Sequence, residues 1–177
     1  MGPGPDADTA SAAGGALWGP APQFSDPPAG AAGALRDLWH EVDGHLATAA
    51  QSCRACGLCC DFPRAGHILF AAKIELDVCL AWAAEHAAID ARTARSRLAV
   101  GLCPFQRDDR LCSVRPVRPL GCRLYFCGDR WARETAWLGE VSRRRLAELS
   151  RRSAVRWWYG PALVYLAGNL SPLPSGS

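Results

Sequence analysis

Nine cysteines in 177 residues are the first feature with chemical consequence. Four form the run Cys53-Arg54-Ala55-Cys56-Gly57-Leu58-Cys59-Cys60. Two residues between cysteines let both sulfurs face one point, a spacing shared by zinc sites and cluster-binding loops. Gly57 supplies the φ freedom that such a turn needs. Cys59 and Cys60 are neighbours, so both reach one centre only where the backbone bends sharply. A second set follows at Cys103, Cys112, Cys122 and Cys127, and Cys103 precedes Pro104 in the Cys-Pro order seen in ferredoxin loops. Cys79, between Val78 and Leu80, reads instead as a buried thiol.

The chemistry these residues suit is metal binding. Clustered thiolates carry too much charge unless a cation lowers their pKa and neutralises them. One iron–sulfur cluster takes four cysteines, and so does one structural zinc, so the two sets allow two centres. The expectation is one iron–sulfur cluster held by both sets, with the remaining cysteines structural or on a second metal; zinc is the alternative metal. The ligand pool is Cys53, Cys56, Cys59, Cys60, Cys103, Cys112, Cys122 and Cys127. Arg118 and Arg123 flank Cys122 and are expected to hydrogen-bond cluster sulfurs or offset thiolate charge. A surface ion pair is the competing use for each. His67 reads as a helix-end residue rather than a ligand, and Glu75 as a partner for an arginine rather than a base.

In combination these residues resemble the CxxCxxCC family of zinc- or iron-chelating domains, the YkgJ-type cysteine-cluster proteins. The run Cys53–Cys60 is followed by Cys103-Pro104-Phe105, the polar turn Arg107-Asp108-Asp109-Arg110, then Cys112-Ser113-Val114, then Arg118-Pro119-Leu120-Gly121-Cys122-Arg123. Arg115 stands where that pattern usually has Tyr. The resemblance spans roughly residues 50–128 and implies a metal-binding domain, in which Arg118 and Arg123 belong to the shared motif. Cys127 lies beyond the pattern as a further candidate ligand.

Composition narrows the class. The formal net charge of +3 is too small to argue for a nucleic-acid partner. The start, MGPGPDADTA, lacks the basic and apolar regions of a signal peptide, and no long apolar window suggests a membrane span. A cytoplasmic chain with reduced thiols is expected, with an unknown protein or peptide as partner.

The elements that position the cysteines read as mainly α: one small domain of helices with irregular cysteine-rich loops and a disordered N-terminal tail. The tail covers residues 1–33, the domain 34–168 and a second tail 169–177. Periodicity predicts helices over 34–51, 67–86, 90–100 and 130–152, with 52–66 and 101–129 irregular. In the last helix Trp131, Leu138, Val141 and Leu149 are expected to share a buried face. Leu17, Trp18 and Phe24 read as isolated apolar residues without a role. Three functions remain open: an iron–sulfur protein with a redox role, a zinc-stabilised structural or interaction module, and a metal-dependent protein- or peptide-modifying enzyme. No nucleotide loop, nucleophile elbow or zinc-protease motif supports catalysis.

Overall fold

The structure is a computed structural model that describes residues 19–48, 56–86, 88–125 and 132–175. It is mainly helical, as the periodicity predicts. Helix α1 is Ala31–Thr48, followed by a 3-10 turn at Leu58–Cys60, the short helix α2 (Phe62–Ala65) and strand β1 (Phe70–Ala72). Helices α3 (Lys73–Glu85) and α4 (Ala91–Ala99) come next, then a 3-10 turn at Arg115–Val117 and helix α5 (Leu120–Leu124). Helix α6 (Ala132–Arg152), strand β2 (Tyr159–Pro161) and helix α7 (Ala162–Ala167) complete the order. Among the described residues no helix is long and apolar enough to cross a membrane.

Helix α1 buries Leu35, Leu38, Trp39, Val42 and Leu46, a stripe at three- and four-residue steps. Each such side chain contributes about 1.5–3 kcal/mol by leaving water. The stripe faces α3, α5 and α6. Helix α3 is buried nearly all round, from Lys73 to Leu80, so it forms the centre of the molecule.

The predicted helix over 67–86 begins later than expected. Residues Phe70–Ala72 are extended and pair antiparallel with β2, Ala71 opposite Gly160. The helix starts after Ala72 because the Glu75 carboxylate accepts the Ala72 N–H at 3.1 Å, closing the first turn. Asp90 caps α4 by accepting from the Thr93 N–H at 2.8 Å, as its place before that helix suggests.

Three expectations need correction. Val141 is 37% exposed, because the buried face of α6 steps by four through Leu138, Ser142, Leu146 and Ser150. The first tail is shorter than 1–33: Ala21 and Phe24 pack on the core and α1 already begins at Ala31. The second tail does not begin at 169, since Asn169, Leu170 and Leu173 are buried. Asn169 joins both ends, accepting from the Phe24 N–H and donating to the Pro22 carbonyl. The parts of the expected tails at 1–18 and 176–177, and Trp131, lie outside the described residues.

Candidate metal centre

The two cysteine sets meet. Cys59, Cys60, Cys103, Cys112 and Cys122 line one cavity of about 370 Å³. None of the described cysteines is in a disulfide. The sharp bend needed for Cys59 and Cys60 is the 3-10 turn Leu58–Cys60, entered through Gly57 at φ 71°. A side chain at Gly57 would meet the Arg110 carbonyl oxygen at 2.3 Å, so only glycine fits there.

Backbone pairing brings the sets to the same wall. The Cys103 N–H donates to the Cys60 carbonyl at 2.8 Å, and Asp61 pairs with Leu102 in a short antiparallel bridge. Cys112 is set opposite Gln106 in a second bridge, beyond the tight turn Arg107–Arg110. The buried Gln106 side chain donates to the Gly57 carbonyl at 2.9 Å, tying this turn to the first cysteine loop. Cys122 sits on α5, whose first N–H, that of Leu120, donates to the Glu75 carboxylate at 2.7 Å. Gly121 permits α5 to lie against β1, since a side chain there would meet the Phe70 carbonyl oxygen at 2.7 Å.

The thiols feel one another. Hydrogen bonding to Cys103, more than burial, pushes the Cys60 thiol up, while a hydrogen bond with Cys59 pulls it back. Burial pushes Cys122 well above the usual thiol range, and the sulfurs of Cys112, Cys60 and Cys59 add to it. Burial also raises Cys112, against which a backbone N–H and the guanidinium groups of Arg118 and Arg115 work. Without a cation these thiols keep their protons; a bound cation would displace them.

The surroundings are mostly apolar, with arginines among the lining. Phe62, Leu69, Leu76, Phe105, Val114 and Leu166 form walls, and Arg107, Arg110, Arg115 and Arg118 also border the space. The contribution of α7, through Leu163 and Leu166, carried no signal in the sequence beyond general hydrophobicity. His67 also borders the cavity, but its Nε2 bonds to the Cys59 carbonyl at 3.0 Å and its ring stacks on Tyr125 at 4.1 Å. It steadies the cysteine turn.

Several expected site residues fall elsewhere. Cys56 is exposed and does not border the cavity, because the chain turns inward only at Gly57. Cys53 and Cys127 lie outside the described residues. Arg118 borders the cavity as expected, whereas Arg123 does not. Arg123 points the other way, donating to the carbonyls of Arg118 and Pro116 at 2.9 Å each, pairing with Asp43 and lying over the Trp39 ring. Among the described residues Glu75 forms no ion pair with an arginine; it accepts from Trp39 Nε1, Ala72 and Leu120. Cys79 is fully buried and donates to the Val117 carbonyl at 2.9 Å, as befits a structural thiol.

The donor set fits a sulfur-ligated centre in kind, with five thiols on one cavity. Among the described residues no three Cys, His, Asp or Glu side chains stand close enough together to hold a single metal ion. The fold and site thus define a small helical protein with a thiol-lined cavity. The chain matches no protein-family model, no curated protein and no solved structure. Its likeness to the CxxCxxCC pattern therefore rests on the cysteine motifs alone.

Proposed function

We propose that this chain binds an iron–sulfur cluster in the thiol-lined cavity and serves as a redox protein. The observation that supports this most strongly is the convergence of five cysteines, from segments far apart in sequence, on one space of about 370 Å³. Cys59, Cys60, Cys103, Cys112 and Cys122 form the ligand pool, of which a cluster needs four. A zinc ion draws its four sulfurs to about 3.8 Å of one another, given Zn–S bonds of ~2.3 Å. A cavity of this size suits a larger group.

A bound cluster would supply reversible electron transfer. The chain's own residues would do the rest. Phe62, Leu69, Phe105 and Val114 shield the sulfurs from water. Arg115 and Arg118, which already act on Cys112, offset thiolate charge. A cytoplasmic location goes with this function, since thiols stay reduced there. Its partner would be a protein or peptide that reaches the cavity's open side.

Purification without air tests the proposal. A brown protein absorbing near ~400 nm, with iron and acid-labile sulfide, is the expected result. A colourless protein carrying stoichiometric zinc would replace the redox function with a zinc-stabilised module. A folded protein free of any metal would overturn both.

A further inference from the structure

A second cavity, of about 410 Å³, opens between α1 and the segment Arg115–Arg123. It is bordered by Arg36, His40, Asp43, Arg115, Arg118 and Arg123, with no cysteine among its walls. Four guanidinium groups therefore face a single carboxylate. That carboxylate is engaged already, because Asp43 pairs with Arg123. Among the described residues Arg36 and Arg118 enter no ion pair.

We propose that this cavity binds a small molecule through a phosphate group. Arg123 forms its fixed floor. It is 4% exposed, lies 4.8 Å over the Trp39 ring, and is held by Asp43 and the carbonyls of Arg118 and Pro116. Those three bonds use three of the five donors of a guanidinium. Arg36 and Arg118 are less buried and free to close on an anion as planar forks.

Phosphate suits this charge better than carboxylate does. A phosphate monoester carries about −1.5 to −2 charge and three terminal oxygens, enough for several arginines at once. One carboxylate saturates a single guanidinium in bidentate fashion. The cavity exceeds a bare phosphate ion, which leaves room for an attached organic group. Arg115 and Arg118 border both cavities, whereas Arg36 borders only this one, so loss of phosphate binding in Arg36→Gln with metal content unchanged separates this site from the metal proposed above.

Calorimetric titration of the full chain tests this, with inorganic phosphate, phenyl phosphate and citrate as separate probes. Saturable binding of a phosphate probe, tighter than citrate, is expected. A preference for phenyl phosphate assigns the site to an organic phosphate, and equal affinity assigns it to the free ion. Arg36→Gln and Arg118→Gln should each weaken binding about ten- to a hundredfold. Arg156→Gln, at an exposed position outside both cavities, should leave it unchanged. Arg36 is on an exposed face of α1, so its replacement keeps the fold. No binding of either phosphate probe, tighter binding of citrate, or equal loss on Arg156→Gln would overturn the proposal.

Discussion

Helix α3 has two very different neighbourhoods. On one side lies a knot of buried polar groups: Lys73 pairs with Asp77, the Tyr165 hydroxyl donates to Asp77, and Ser25 donates to Asp77 and accepts from Lys73. Beside it Glu75 accepts three hydrogen bonds. Through Leu76 the same helix walls the cavity where five thiols converge. The knot is complete within the chain. Among the described residues the buried side-chain nitrogens without a partner, Arg97 Nε and Trp158 Nε1, lie outside it. At the thiols, Cys60 bonds to Cys103 and Cys59, Cys112 takes a backbone N–H, and burial or thiol contact pushes Cys60, Cys112 and Cys122 up. The proposed cluster would act on the second neighbourhood and leave the first untouched.

Substitutions on each side should separate the two. Cys122→Ser should have the largest effect: metal content falls to background, and the melting temperature falls to that of the metal-free protein, since bound metal and folding are linked. Glu75→Ala should cost on the order of 3 kcal/mol by denaturant titration, because it strands the Trp39, Ala72 and Leu120 donors in the interior. Its effect should persist in metal-free protein, unlike that of Cys122→Ser. Cys79→Ser should cost about 1–2 kcal/mol for a buried hydroxyl and leave metal content intact. Retained metal in Cys122→Ser, or lost metal in Cys79→Ser, would erase the contrast.

The smallest effect concerns pH. Hydrogen bonds from Thr93 hold the Asp90 carboxyl below the usual carboxylate range. A lowered folded pKa gives stability that is present above the unfolded value of about 3.9 and is lost as pH falls through the folded one. Asp90→Ala should therefore flatten the acid limb of the stability curve without touching metal content. An unchanged acid limb would remove Asp90 from the capping role.

The sequence made the cysteines and their meeting legible, because residue type and spacing alone carry that signal. The stripe on α1 was equally plain, since Leu35, Leu38, Trp39, Val42 and Leu46 repeat with the helix period. What stayed hidden depends on distant partners. Arg123 was expected at the sulfurs, yet it pairs with Asp43, eighty positions away. Phe24 is an isolated apolar residue in the sequence, with docking on the domain the lesser of two readings, yet its backbone docks on Asn169 across 145 positions. Gln106 carries no motif, and only the fold shows that it joins the two cysteine loops. The β1–β2 pairing was missed because three residues per strand are too few for alternation to show.

The most direct measurement is iron and acid-labile sulfide per chain in the air-free wild type, Cys59→Ser and Cys103→Ser. These two cysteines come from different loops that meet at one wall. Cluster-level iron and sulfide in the wild type, with both lost in each variant, is the expected result. Full iron and sulfide in either variant would mean that the two loops do not share a centre.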